Sequence, residues 1–220
     1  NIPILGINTG RLGFLADIKF EDLDETLDEI FQRDYRIEKR MLLKTTSHSN
    51  DSDKDFVSYS LNEVAVLKQD TSSMLTIHAF IDDEYLTSYQ ADGLVVSTPT
   101  GSTAYSLSIG GPIMVPTAPN IILTAIAPHS LNSRPLVVDS KSKINLKVES
   151  RSSNYLVSLD GESQTLNVDT LLEISKAAHT QPVVKRCGHT FFETLRNKLM
   201  WGADVRSSNN ANSSLIEKSF

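Results

Sequence analysis

Residues Tyr89–Val138 form a run of fifty residues with only two charged side chains, Asp92 and Arg134. The same run holds six of the eight prolines and four of the ten glycines. So little charge predicts a mostly interior segment, and so many prolines and glycines predict an irregular backbone. Irregular backbone inside a protein is expected to line something. A buried charge needs a partner, which makes Asp92 and Arg134 the first places to look for chemistry. No apolar run approaches the ~20 residues of a membrane span. The longest stretches, such as Ile121–Ala127, are strand-sized.

The rest of the chain sets the class. Its 220 residues are 40% hydrophobic and 22% charged, the composition of a globular protein with an ample core. Lys and Arg number 21 against 27 Asp and Glu, a net charge of −6. A protein that lives on nucleic-acid phosphates carries a basic excess, so a small-molecule partner is expected and a nucleic-acid or membrane partner is not. The single cysteine, Cys187, excludes an internal disulfide, fits a reducing cytoplasm and is expected as a buried or half-buried thiol. The chain opens on Asn1 with no signal peptide, and Ile2–Ile7 reads as a buried strand. Together these predict a segment of a longer protein.

Helical spacing of Leu23, Leu27, Ile30 and Phe31 predicts a helix over Phe20–Asp34. From Tyr35 the pattern turns to strands, at Arg36–Thr46, Phe56–Lys68, Met74–Ile81, Lys143–Ser150, Tyr155–Asp160, Leu171–Ser175 and Gln181–Arg186. Asp82-Asp83 reads as a hairpin turn and Ser47–Asp55 as a mobile polar loop. Phe191–Leu199 reads as a short helix, and Ser207–Phe220 as a disordered tail.

Three places suit a ligand. Asp92-Gly93 leads into the strand Leu94–Ser97, then a polar loop, Thr98–Ser106, with one glycine and many hydroxyls. Amides at a helix start with hydroxyls around them suit a phosphate or ribose, and Tyr105 could stack on a base. The alternative is a capped helix whose hydroxyls serve its own first turn. No Lys follows the glycine, so this is no Walker loop. Asn62-Glu63 is an amide and a carboxylate inside a β-like stretch, able to hold two vicinal hydroxyls or to sit in a turn. Gly6–Phe14 follows the first strand but lacks dinucleotide-fingerprint spacing. The five histidines show no metal-ligand spacing, and His129 suits a structural role better than a base.

The runs GINTGRLGFL (6–15) and DGLVVSTPTGSTAYSLSIGGP (92–112), the pair Asn62-Glu63, Pro128–Leu131 with Arg134-Pro135, and LRNKLMWG (195–202) resemble the NAD kinases, in that order. The match runs to about Arg206. It implies an α+β, mainly β fold: a C-terminal β-sandwich-like domain with the end of an N-terminal α/β domain. The expected division is 1–19 as that remnant, 20–206 as the NAD-binding domain, with a last helix (190–200) packing back toward the remnant, and 207–220 as tail.

The resemblance also implies an activity: Mg-dependent transfer of phosphate from ATP, or from polyphosphate, to the 2′-hydroxyl of the adenosine ribose of NAD, giving NADP. It implies a cytoplasmic homodimer or homotetramer. Carried over residue by residue, Asn62 and Glu63 look like the ribose pair and Asp92 like a nucleotide contact. Thr103, Ala104 and Tyr105 look like the adenine wall, continued by Ser106, Leu107 and Ser108. Ala127, Phe14 and Glu162 complete the set, and no metal ligand is carried over. Gln90 stands where many members have a basic residue. Lipid kinases of the diacylglycerol or sphingosine type share the overall plan, but the Thr-Ala-Tyr wall favours a nucleotide acceptor, and a non-catalytic nucleotide-binding module is the remaining alternative. The family's Gly-Gly-Asp-Gly-Thr motif, which carries its general base, does not occur in these residues. The segment alone is therefore expected to bind nucleotide without turnover.

Overall fold

A computed structural model describes residues 2–10, 13–16, 18–49, 55–70 and 73–202. The chain divides into two compact units. One comprises Asn1–Leu5 with Arg36–Lys185, the other Gly6–Tyr35 with the residues from Arg186 onward.

The larger unit is built from two six-stranded sheets. The strands are β3 (Tyr35–His48), β4 (Val57–Ser60), β5 (Glu63–Leu67), β6 (Leu75–Ile81), β7 (Glu84–Ala91), β8 (Gly93–Ser97) and β9 (Asn120–Ile126). They continue with β10 (Leu136–Asp139), β11 (Ile144–Glu149), β12 (Asn154–Leu159), β13 (Glu162–Asn167) and β14 (Leu171–Arg186). One sheet has the order β10-β9-β8-β5-β12-β13 and the other β4-β3-β14-β11-β6-β7. Alternate residues of both enter one core: Val64 and Val66, Leu94 and Val96 from the first, Ile77 and Ile144 from the second. This is the period-2 patterning that a sandwich requires. Tyr155 is fully buried with its hydroxyl donating to the Thr170 carbonyl at 3.1 Å, and burial holds its phenol well above the ordinary range.

Two expected elements are divided differently. Phe56–Lys68 is not one strand: β4 and β5 belong to different sheets, and the chain crosses between them at Leu61-Asn62. A continuous β-rich pattern cannot show which sheet each half joins. Conversely, Leu171–Ser175 and Gln181–Arg186 are parts of one 16-residue strand, β14. The Asp82-Asp83 turn is as expected, a two-residue loop with both residues at positive φ (51° and 68°).

The smaller unit begins with a two-residue parallel pair, β1 (Ile7–Asn8) and β2 (Ile18–Lys19). A 3-10 turn at Phe20–Asp22 runs into helix α1 (Leu23–Phe31), and α3 (Phe191–Leu199) lies near the end of the described residues. Thr190 caps α3, its hydroxyl accepting the Glu193 amide at 3.1 Å. The Arg186 guanidinium grips Glu29 with two bonds, Nε to Oε2 at 2.7 Å and Nη2 to Oε1 at 2.6 Å, and reaches Glu25 at 3.3 Å. This fork holds the Glu29 carboxyl below its usual range.

The expected buried strand Ile2–Ile7 is not one. Ile2 is 85% exposed, Ile4 makes a single bridge to Val183, and only Ile7 enters a strand. An apolar run names a surface that can be covered but not its cover. The expected boundaries also shift. Residues 20–35 stay with 6–19 rather than with the β-rich unit, and α3 joins them. β2 touches both β1 and α1, and the Arg186 fork ties α1 to the chain after β14, while no composition change marks the boundary. Cys187 is exposed rather than buried. Residues 207–220, together with residues 50–54 of the polar loop, lie outside the described residues. No described helix is long and apolar enough to cross a membrane.

Candidate functional site

The central strand β8 is buried on both faces. At its C-terminal end the segment 98–119 folds over the Leu61-Asn62 crossover. The Thr98 amide donates to the Asn62 carbonyl at 2.9 Å, and the Thr98 hydroxyl to the Leu61 carbonyl at 2.6 Å. The Gly101 amide returns to that hydroxyl at 3.0 Å. Gly101 has to be glycine here, because a Cβ would lie 2.1 Å from the Asn62 carbonyl oxygen. Gly93, at the other end of β8, is under the same constraint, with a Cβ 2.3 Å from the Val66 oxygen.

The loop hydroxyls build the loop. Ser102 donates to the Pro99 carbonyl at 2.7 Å and accepts the Met114 amide at 3.0 Å. Thr103 donates to the Thr100 carbonyl at 3.2 Å, and Thr100 accepts from buried Arg40 at 3.3 Å. These hydroxyls are bonded within the loop, yet neither the 3-10 turn at Gly101–Thr103 nor the short helix after it has a side-chain cap. Helix α2 (Tyr105–Ser108) is only four residues long, and the Tyr105 amide at its start lies near the Glu63 carboxyl and favours its charged form.

Glu63 is a strongly perturbed carboxyl of the larger unit. Burial first, then the negative charge of Asp160, pushes its carboxyl from 4.5 to about 7, against the opposing Tyr105 amide. Its Oε2 is buried without a hydrogen-bond partner. Asn62 beside it uses its main-chain amide on Asp160 and its carbonyl on Thr98. Its side-chain amide is not among those bonds. Tyr105 is 37% exposed, Thr103, Ala104 and Leu107 are half-buried, Ser106 is buried and Ser108 is exposed. Glu63 and Tyr105 are thus brought together, and Gly101 lies against the Asn62 backbone.

Asp92 does not join them. It sits at the opposite end of β8, six residues from Thr98, or about 20 Å along a strand. Asp92 is partly exposed and pairs with Lys68 at 2.7 Å. Ala127 lies at the same end, where the Asp92 amide donates to the Ile126 carbonyl at 2.9 Å. Ala127 adopts φ 44°, a left-handed conformation costly for a residue with a Cβ. The other charge of the uncharged run, Arg134, is exposed and donates to the Leu131 and Ser133 carbonyls of its own loop. It is neither buried nor paired with an acid. His129 is exposed, and its amide donates to the Gln90 carbonyl at 2.8 Å. Phe14 is half-buried in the loop between β1 and β2 of the smaller unit. The described residues hold no group of three or more His, Cys, Asp or Glu placed to hold a metal ion.

Glu162 is exposed at the start of β13. The residue that acts on the site from that hairpin is Asp160, whose Oδ2 accepts the Leu61 amide at 2.6 Å. Its Oδ1 accepts the amides of Asn62 at 2.8 Å and Glu63 at 2.9 Å. The family resemblance points to Asp160–Glu162 as a loop able to reach nucleotide from a neighbouring subunit, but nothing local ties Asp160 to residues nearly a hundred positions earlier.

Residues 61–186 match the ATP-NAD kinase C-terminal domain, and residues 1–35 the ATP-NAD kinase N-terminal domain. An NAD kinase of Bacteroides fragilis is 54% identical over 205 residues, 93% of this chain and 70% of that protein. A crystal structure of yeast NADH kinase complexed with NADH superposes with a TM-score of 0.87 at 30% identity, covering 94% of this chain and 61% of that one. An NAD kinase from Archaeoglobus fulgidus in complex with ATP gives 0.75 at 28% identity, covering 90% and 74%. With both domain models matched in order and more than half of its residues shared with a curated relative over most of its length, the chain belongs to the NAD kinase family.

Proposed function

We propose that this chain carries the acceptor side of an enzyme that phosphorylates NAD at the 2′-hydroxyl of its adenosine ribose to give NADP, with ATP or polyphosphate as donor. One observation supports it most directly. The crossover turn carries an amide and a carboxyl in succession, Asn62 and Glu63, and the Glu63 carboxyl meets the main-chain amide of the exposed Tyr105. An amide, a carboxyl and an aromatic residue supply the donors, acceptors and stacking surface that a nucleoside with a vicinal diol needs. Asn62 and Glu63 take the ribose hydroxyls. Tyr105 stacks on the adenine, with Thr103, Ala104 and the half-turn Ser106–Ser108 as its wall. Asp92, Ala127, Phe14 and Glu162 are further nucleotide contacts.

Mg2+ accompanies the donor phosphates in this reading, as an ion that is commonly held by substrate phosphates and water. The reaction depends on positioning and charge neutralisation more than on covalent chemistry, and these residues supply the positioning. A cytoplasmic homodimer or homotetramer completes the proposal.

The test is NADP formation by the full-length protein with NAD, diacylglycerol and sphingosine offered as acceptors. Only NAD is expected to be phosphorylated, and Asn62→Ala is expected to weaken NAD by about 1–3 kcal/mol through lost hydroxyl contacts. Tyr105→Ala is expected to weaken it by a similar ~1–3 kcal/mol, the worth of one stacked base. Unchanged NAD affinity in both variants would overturn the site. The isolated 220 residues, which contain no Gly-Gly-Asp-Gly loop, are expected to bind NAD without turnover.

A further inference from the structure

We propose that Asp160 is a positioning residue for this reaction: its one carboxylate gathers three successive main-chain amides, those of Leu61, Asn62 and Glu63, and so fixes the crossover turn that aims the ribose-binding pair. The inference rests on the reading of Asn62 and Glu63 given above. The turn needs such a clamp. It joins strands of two different sheets, so no ladder partner is available at Leu61 and Asn62 themselves. Three amides pointing one way form a concave donor set, and a carboxylate, which only accepts, matches it. The bonds are short, 2.6, 2.8 and 2.9 Å, as charge-assisted bonds are.

Asp160 is itself held. It has φ 49° in a two-residue turn with Gly161 between β12 and β13, and its own amide donates to the Glu63 carbonyl at 3.1 Å. The contact is therefore reciprocal: side chain to three amides, main chain back to the same turn. The same turn also bonds Thr98 and packs against Gly101, so two loops hold the Asn62 backbone in place.

The Glu63 carboxyl meets charge or dipole from two elements, the Asp160 anion on the β12–β13 turn and the Tyr105 amide at the start of α2. This supplies a readout that a purely structural role would not move. Neutralising Asp160 removes the anion that raises Glu63. If Glu63 accepts a ribose hydroxyl as the carboxylate, the acidic limb of kcat/KM for NAD then shifts to lower pH.

The experiment uses the full-length protein with Asp160→Asn, Asp160→Ala and, as a control for the site, Asn62→Ala. Asp160→Ala is expected to lower kcat/KM for NAD roughly 10- to 100-fold, since a displacement of about 1 Å at a binding group costs up to ~10²-fold. Asp160→Asn keeps an acceptor oxygen of the same shape. It is expected to recover part of that loss and to show the acid-side shift of the pH profile. Asp160→Asn with parent kcat/KM and an unmoved profile, while Asn62→Ala weakens NAD, would overturn the role of Asp160 and leave the site standing. No effect from either residue would overturn both. Should Asp160→Ala fold poorly, Asp160→Asn alone decides through its pH profile.

Discussion

Gly101→Ala tests the loop-on-turn packing most sharply. The added Cβ would lie 2.1 Å from the Asn62 carbonyl oxygen, 2.5 Å from its carbon and 2.8 Å from its Cα. All three are backbone atoms, and Asp160 holds that backbone through the Asn62 amide. No rotamer change relieves the clash. Restoring a tolerable contact means moving the loop by about 1 Å. Two bonds then fail, those now at 2.6 and 2.9 Å from Thr98 to the turn, because each would stretch past 3.5 Å. At about 1 kcal/mol each, the loss is ~2 kcal/mol, and residual crowding adds to it. For a domain of this size ~2 kcal/mol lowers Tm by roughly 4–8 °C.

Calorimetric melting reads the stability, and titration with NAD reads the site. Gly110→Ala is the control. Its φ is +84° and its Cβ would meet nothing within 4 Å, so only backbone strain of about 1–2 kcal/mol is expected, with NAD affinity unchanged. A Gly101→Ala protein that melts with the parent, or that is no less stable than Gly110→Ala, would refute the close-approach argument.

Two further outcomes follow from charge. The Glu63 carboxyl titrates near 7 folded and near 4.5 unfolded, so the folded state binds the extra proton and Glu63 stabilises less as pH rises from 4.5 through 7. Glu63→Gln should therefore gain stability over the parent at pH 8 but not at pH 4, measured by urea unfolding, and equal differences at both pH values would refute the shift. Arg186→Lys should break the two-bond fork on Glu29 and speed hydrogen exchange of the α1 amides. Because the fork depresses Glu29, its contribution is present above the unfolded carboxylate range and lost as pH falls through the folded value, so the two proteins should converge in acid.

Period-2 patterns made β6, β11 and β12 legible, and apolar spacing gave α3 its observed limits. Strands β10 and β13 were not legible. Leu136–Asp139 closes the uncharged run, and Glu162–Asn167 is largely exposed and polar. Such edge strands owe their shape to a neighbour rather than to their own composition. For the site, the Asn62-Glu63 pair and the Thr-Gly-Ser-Thr-Ala-Tyr run stood out because polar groups in β-rich surroundings need a reason. Their roles did not stand out. The loop hydroxyls bind the loop, and the fifty-residue run carries neither of its charges deep inside.

The sequence by itself determined the family, the β-rich class and the residues placed around Tyr105, because residue identity and local period survive without a fold. Only the tertiary structure decided that Phe56–Lys68 splits between two sheets, that Gly101 is glycine for the sake of Asn62, and that Asp160 clamps the turn. Each of these rests on backbone atoms brought together from segments far apart in the chain, at distances that no local pattern encodes.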